Sequence, residues 1–151
     1  MNAVTVGPSR YQTWRSTWLG QITERLEQEL LLELADPVNG QDVLDLGCGD
    51  GVLTEKLLDH GAKVTGLDAD PDMIAAARVS LPGVDFRPGN ACHLPFSDAS
   101  FDLITANTLL CLVRDRQDIL AEAARVLRPG ARLVIGELNR FSLWALIRTS
   151  P

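Results

Sequence analysis

The chain has 151 residues, of which 46% are hydrophobic and 23% charged, and its formal net charge is −6. This length and composition are typical of one ordinary globular domain with its own core. The negative charge argues against nucleic acid or an anionic membrane as a partner, because both attract clustered lysine and arginine. The first twenty residues are too polar for a signal peptide, and no apolar run approaches the ~20 residues of a membrane span.

The three cysteines, Cys48, Cys92 and Cys111, include no CxxC pair. Their odd number and their spacing argue against both a disulfide framework and a zinc site. We therefore expect no bound metal, and we expect a reducing compartment, which indicates the cytoplasm.

The N-terminal part begins with residues 1–10, which contain glycine and proline and which we expect to form a flexible arm. Residues 11–36 then show helical periodicity, and we expect this helix to act as a lid, with a break near Gly20. Its apolar side chains recur every four residues, at Trp18, Ile22, Leu26, Leu30 and Leu34. A turn at 36–40 ends the helix.

Strand and helix patterns alternate after the turn. The predicted strands cover 41–46, 62–67, 84–87, 101–106 and 131–137. The predicted helices cover 52–60, 70–80 and a segment that begins at Asp115 or Asp118 and ends near Leu127. Residues 88–100 are too polar and proline-rich to predict a helix. Strands separated by helices of about ten residues pair in parallel with right-handed crossovers. We therefore predict a doubly wound, Rossmann-like α/β sheet with strand order 3-2-1-4-5.

The fifth predicted strand lies close to the C-terminus, and residues 141–151 form a short tail after it. An unpaired edge on this strand is an aggregation hazard. Three arrangements would relieve it: pairing with a second copy as a homodimer, cover by the tail, or continuation of a longer protein. We favour a fragment of a longer protein.

The most informative motif is VLDLGCGDG at 43–51, an apolar strand with one acid that leads into three alternating glycines and then a helix. Glycine lets a ligand approach the main chain closely, and the free N–H groups of a helix start face the same space. A nucleotide-like ligand is the expected occupant. The third glycine comes one place too early for a dinucleotide fingerprint, which disfavours a nicotinamide enzyme.

Two aspartates accompany this loop. Asp68 ends the second predicted strand, and a carboxylate there is placed to accept both hydroxyls of a ribose. Asp70 precedes Pro71, so it is the better candidate for the helix cap and leaves Asp68 for the ligand. Asp45 lies inside an apolar strand, where an acid is costly unless it is paired. We expect it to reach a ligand ammonium or to order the loop, with a purely structural pairing as the alternative.

Two asparagines follow the third and fourth predicted strands. The side-chain amide of Asn90 is placed to bond the edge of an adenine, and Asn107 faces the same crevice. A simple turn role is the alternative for each of them.

Four segments together resemble the class I S-adenosylmethionine-dependent methyltransferases, in particular the type 11 group that is similar to ubiquinone and menaquinone methyltransferases. These segments are VLDLGCGDG (43–51), VTGLDADPDMIAAAR (64–78), GNACHLPFSDASFDLI (89–104) and EAARVLRPGARLVIGELNR (122–140). The resemblance extends over residues 11–148 and implies a cofactor-binding domain at 41–140. It implies transfer of a methyl group from S-adenosylmethionine to a small-molecule acceptor.

The resemblance also implies a set of cofactor contacts. Those expected along the methionine part are Gly47, Cys48, Gly49 and Asn107. Those expected around the adenosine are Asp68 at the ribose, then Ala69, Met73, Asn90 and Ala91. The lid residues expected to cover the cofactor are Tyr11 and Trp14.

The chain departs from the family pattern at two points. The family usually has aspartate where this chain has Asn90, and it adds a sixth and a seventh strand that are missing here. The missing strands leave open a second function, a non-catalytic S-adenosylmethionine-binding module that acts through a partner chain. Neither His60 nor His93 is assigned as a catalytic base, and we nominate no catalytic residue.

Overall fold

The computed structural model describes Thr13 and residues 15–137. Within them the helices are α1 (Trp18–Ala35), α2 (Val52–Asp59), α3 (Pro71–Ser80) and α4 (Arg116–Val126). The strands are β1 (Asp42–Leu46), β2 (Lys63–Asp68), β3 (Asp85–Pro88), β4 (Phe101–Asn107) and β5 (Leu127–Gly136). The predicted arm, the tail and the lid residues Tyr11 and Trp14 lie outside the described part.

The five strands form one sheet in the order β3-β2-β1-β4-β5, and every neighbouring pair is parallel. This confirms the predicted fold class and strand order. A parallel sheet has to be covered on both faces, because its strands are apolar on both sides. Val43 and Leu103 pack into a cluster with Leu31 and Leu57 from α1 and α2. The alternate residues of β1 and β4, such as Leu44, pack against α4 on the other face.

Helix α1 differs from its prediction at the start. Thr17 caps the helix, because its hydroxyl oxygen accepts a hydrogen bond of 3.1 Å from the Gly20 backbone N–H. The helix then runs through Gly20 without interruption, and the helical conformation is instead broken at Ser16 and Thr17, so the break lies near Gly20 but not at it.

The apolar stripe of α1 is not its packed face. Leu26, Leu30 and Leu34 are between 55% and 57% exposed, whereas Leu31 and Ala35 are at most 3% exposed. Trp18, the first residue of the stripe, is 75% exposed as well, so the stripe lies on a different side of the helix from the buried residues Gly20, Gln28, Leu31 and Ala35. The stripe therefore leaves a row of leucines along one flank of α1.

The C-terminal end of α1 is held by β5. The guanidinium of Arg132 donates to the backbone carbonyls of Ala35 at 2.7 Å and Asp36 at 2.9 Å, with longer bonds to Leu34 and Pro37. The last carbonyls of a helix have no partner inside the helix, and a cation favours that end of its dipole. One β5 side chain therefore fixes α1 against the sheet.

The other boundaries follow the sequence closely. Asp70 caps α3 by accepting from the Asp72 backbone N–H at 2.9 Å, as expected from Pro71. Asp115 occupies the cap position of α4, although its side chain makes no capping bond. Residues 89–100 contain no helix, as expected. Strand β5 starts at Leu127, earlier than predicted, with an irregular register opposite Phe101 and Leu103.

In the described part of the chain, no helix is long and apolar enough to cross a membrane. The described residues also contain no group of three or more metal-ligating side chains. Cys48, Cys92 and Cys111 form no disulfide with one another. The cytoplasm stays a prediction.

Candidate functional site

A cavity of about 710 Å³ opens at the carboxyl edge of the sheet, beyond the ends of β1, β2 and β4. In doubly wound sheets, ligands bind at this edge, where the strand order reverses. All ten predicted site residues that the structure describes line this one cavity. They are Asp45, Gly47, Cys48, Gly49, Asp68, Ala69, Met73, Asn90, Ala91 and Asn107. The fold therefore brings the predicted residues together, and their cofactor roles stay predictions.

The glycine loop between β1 and α2 forms one wall. Gly49 has φ +56°, a left-handed conformation that favours glycine, and a Cβ built on it would meet nothing within 4 Å. The loop backbone is therefore bare toward open space at this position. Gly47 has φ +78°, and a Cβ there would lie 3.2 Å from Leu109 Cδ1. Leu109, from the loop after β4, thus closes down on the glycine loop.

Asp68 is tied to the glycine loop by its own carboxylate. The Gly49 backbone N–H donates to Oδ2 at 2.9 Å, and the Asp70 backbone N–H donates to Oδ1 at 2.9 Å. These two bonds fix the direction of the carboxylate. Each oxygen still keeps accepting capacity, because an ionised carboxylate offers about four lone-pair sites.

Asp45 lies at the bottom of the cavity and is 1% exposed. Its oxygens accept hydrogen bonds from the hydroxyls of Thr54 at 2.6 Å and Thr105 at 3.1 Å. Burial raises the pKa of Asp45 to about 6, although the two hydroxyls act in the opposite direction. The structure thus contains the structural pairing that the sequence left as an alternative, and the residue also lines the cavity.

The two asparagines show different surroundings. Asn90 Oδ1 accepts from the Cys92 backbone N–H at 2.9 Å, so the turn role that the sequence left open is present. Asn107 Oδ1 is buried with no hydrogen-bond partner among the described residues, and it lies against Gly136. Burial raises the pKa of Glu27 above its ordinary value, and a hydrogen bond with Asn107 offsets part of this effect.

An ion-pair network that no sequence pattern predicted also lines the cavity. Arg15 donates to both oxygens of Asp50, at 2.8 and 2.9 Å, and its Nε lies 2.8 Å from Glu24 Oε1. All three side chains line the cavity and are at most 19% exposed. Burial raises the pKa of Glu24, whereas the charge of Arg15 lowers it. The network ties the segment before α1 to the glycine loop.

The remaining wall is the loop after β4. Its lining residues include Leu109, Leu112 and Val113, which give this side of the cavity an apolar surface. Among the described lining residues there is no histidine. Burial raises the pKa of the Cys48 thiol well above its usual range, so this cysteine is unsuited to act as a nucleophile.

Comparison with known proteins identifies relatives for most of the chain. Residues 44–135 match the protein family described as "Methyltransferase domain". A probable S-adenosylmethionine-dependent methyltransferase of Mycolicibacterium smegmatis is 35% identical over 118 residues, which are 78% of this chain and 46% of that protein. A demethylmenaquinone methyltransferase of Renibacterium salmoninarum is 37% identical over 112 residues, covering 74% of this chain and 47% of its own length.

The fold has solved counterparts as well. The crystal structure of an S-adenosylmethionine-dependent methyltransferase of Thermotoga maritima, described as a possible histamine N-methyltransferase, matches with a TM-score of 0.73 and 26% identity. The match covers 92% of this chain and 62% of that one. The chain spans about half the length of the curated relatives it matches.

Proposed function

Since this chain belongs to the family of S-adenosylmethionine-dependent methyltransferases, we propose that it transfers a methyl group from S-adenosylmethionine to a small-molecule acceptor. The observation that carries this proposal is the pairing of Asp68 with the bare glycine loop. The carboxylate is fixed by the Gly49 N–H at the rim of a cavity lined by every described residue that the resemblance implies.

The residues present fit this cofactor. Gly49 leaves an open face on the main chain, which gives a flat nucleoside-linked ligand room to approach. Asp68 keeps accepting capacity for ribose hydroxyls, and Ala69, Met73 and Ala91 supply apolar contacts for an adenine. The lining residues include two cations, Arg15 and Arg114, and a larger number of acidic residues. The acidic residues are Glu24, Asp45, Asp50, Asp68, Asp70 and Asp115. This excess of negative charge favours a ligand with net positive charge, such as a sulfonium with an ammonium group.

The chemistry of this reaction places few demands on the protein. When bound, S-adenosylmethionine would supply a methyl group on a sulfonium, and the neutral thioether that remains after transfer is a good leaving group. The protein then contributes mainly by holding donor and acceptor in line, which alone lowers a barrier substantially. Asp68 and the glycine loop would hold the donor, and the wall formed by Leu109, Leu112 and Val113 would orient the acceptor and exclude water. No catalytic base is assigned.

We expect the acceptor to be a small molecule with an apolar part, because Leu109, Leu112 and Val113 line the wall formed by the loop after β4. Thr108, Arg114 and Asp115 line the same wall and offer polar contacts. The relatives include a demethylmenaquinone methyltransferase and several O-methyltransferases. These names describe those proteins, and the acceptor of this chain is to be found by assay of quinols, phenols and amines.

Calorimetry with S-adenosylmethionine and S-adenosylhomocysteine tests the proposal. We expect both to bind, and we expect Asp68→Asn to weaken binding by about tenfold to a hundredfold, because a hydrogen bond to a charged group contributes about 1.5–3 kcal/mol. Asp72→Asn is the matched control: it removes an aspartate four residues away that does not line the cavity. Absence of binding by the unmodified protein would remove the proposal.

A second candidate is a cofactor-binding module that acts as a homodimer. Among the described residues β5 has a single strand neighbour, β4. The row of exposed leucines on α1 adds apolar surface, and Ile135 of β5 is 38% exposed. An unpaired edge strand can pair with the same edge of a second copy around a two-fold axis. Light scattering distinguishes the two candidates, because a monomer that methylates an acceptor excludes the dimeric module. If a dimer forms, the double variant Leu30→Lys, Leu34→Lys should dissociate it.

A further inference from the structure

We infer that Glu137, the residue directly after β5, is a positioning residue that holds the wall of the cavity over the glycine loop. Glu137 does not itself line the cavity. It acts through the loop after β4, which the structure describes from Thr108 to Asp115. The inference rests on the proposed function, because it concerns the binding of the same cofactor.

Both carboxylate oxygens of Glu137 are engaged by this loop. The Leu110 backbone N–H donates to Oε1 at 2.7 Å, and the Cys111 backbone N–H donates to Oε2 at 2.8 Å. Two successive backbone N–H groups that converge on one anion form a geometry that proteins use to bind anionic groups. Here the anion is supplied by the chain itself, from a residue 26 positions away.

The loop depends on partners outside itself. Thr108 has φ +52°, a left-handed conformation that a β-branched residue avoids unless its surroundings impose it. Its backbone N–H donates to the Gly136 carbonyl at 2.7 Å, so the same end of β5 holds the loop twice. The Leu110 carbonyl accepts from Arg116 Nε at 2.7 Å, which anchors the loop to α4.

The side chain that these hydrogen bonds position at the cavity is Leu109. It lies between Thr108 and Leu110, whose backbones are both held by the end of β5. It reaches to 3.2 Å from the position that a Cβ on Gly47 would occupy. Without the carboxylate, the N–H groups of Leu110 and Cys111 lose their partner, while the bonds that join Thr108 to Gly136 and Leu110 to Arg116 remain. Leu109 would then be held less firmly over the site expected for the methionine part of the cofactor.

Glu137→Gln tests this role, because the amide offers one accepting oxygen and places an NH₂ group against the second backbone N–H. We expect the Kd for S-adenosylhomocysteine to rise about tenfold, while the melting temperature changes by no more than about 2 °C. Hydrogen exchange should quicken at the amides of Leu110 and Cys111 and leave the β1 amides unchanged.

Glu122→Gln is the matched control. Glu122 also accepts a backbone N–H from a loop, that of Leu94 at 2.7 Å, but neither residue lines the cavity. If any loosened loop weakened the cofactor site, this variant would weaken it as well. We expect its Kd for S-adenosylhomocysteine to match that of the unmodified protein.

A double-mutant cycle with Leu109→Ala tests the route of the effect. If Glu137 acts through Leu109, the double variant loses no more affinity than Leu109→Ala alone. Additive losses, or an unchanged Kd in Glu137→Gln, would overturn the inference while the proposed function stands. If the unmodified protein binds neither cofactor form, the proposed function fails and the inference fails with it.

Discussion

Replacing Asp45 with asparagine removes a charge that the folded chain holds at a cost. Burial raises the pKa of this carboxyl to about 6, against an ordinary value of 3.8. As the pH rises from about 4 to about 6, the unfolded chain releases this proton first, while the folded chain retains it. The unfolded state then binds fewer protons than the folded state, so stability falls across this window and stays lower above it.

The magnitude follows from the two pKa values. The interval from 3.8 to about 6, at 1.36 kcal/mol per pH unit, gives about 3 kcal/mol. Asparagine has no such titration, and it has the same shape. Its amide can still serve both threonines, because a hydroxyl of Thr54 or Thr105 donates or accepts as needed. We therefore expect Asp45→Asn to gain about 3 kcal/mol relative to the unmodified protein between pH 4 and pH 7.

Urea unfolding at steps from pH 4 to pH 8 measures this difference directly, with the Asp72→Asn variant as a control for an exposed aspartate. Parallel stability curves for Asp45→Asn and the unmodified protein would refute the reasoning.

The same variant decides between the two roles of Asp45. If the carboxylate serves the ligand, Asp45→Asn loses affinity for S-adenosylmethionine by about tenfold; if it serves only the two threonines, affinity is unchanged.

Three further predictions concern other parts of the fold and site. Arg132→Met should lower the free energy of unfolding by about 2 kcal/mol in urea titrations, because it strips the end of α1 of its hydrogen-bond donor, and an unchanged midpoint would contradict this. Gly49→Ala should cost about 1 kcal/mol of stability from its left-handed φ, and it should weaken binding of S-adenosylhomocysteine in calorimetry because its methyl group occupies the open face. Arg15→Gln should weaken cofactor binding, because it releases the segment before α1 from Asp50; equal Kd values would show that this contact has no role in closing the site.

The fold could be predicted because its signals are local. Most strands are short apolar runs, three of the four connections between strands contain a helix of 8 to 11 residues, and the glycine loop has an unusual composition. Parallel pairing and strand order then follow from chirality and connection length. The same local character explains why the predicted site residues share one cavity. All of the described ones except Met73 lie within three residues of the carboxyl end of a strand, and the carboxyl ends of parallel strands meet at one edge.

The errors and omissions come from contacts between distant residues. No spacing rule relates Arg15 to Asp50, which are 35 positions apart, or Glu137 to Leu110. The threonines that hold Asp45 come from α2 and β4 and resemble ordinary apolar-face residues in the sequence. The apolar stripe of α1 does not identify the packed face of the helix, for a similar reason. Its periodicity is genuine, but the packed side of the helix is decided by what β4, β5 and α2 present to it.

The cavity also concentrates the features that cost the fold free energy. Asp45 is a buried acid, Asn107 Oδ1 is a buried acceptor without a described partner, and Thr108 adopts a left-handed conformation. These three costs stem from separate positions on β1, at the end of β4 and in the loop after it, yet they fall at one edge of one sheet. Unfavourable local choices that cluster in this way are expected where a site is shaped for a ligand, because the surrounding structure must impose them. Cofactor binding should therefore relieve part of this cost, and S-adenosylhomocysteine should raise the melting temperature of the unmodified protein more than that of Asp45→Asn.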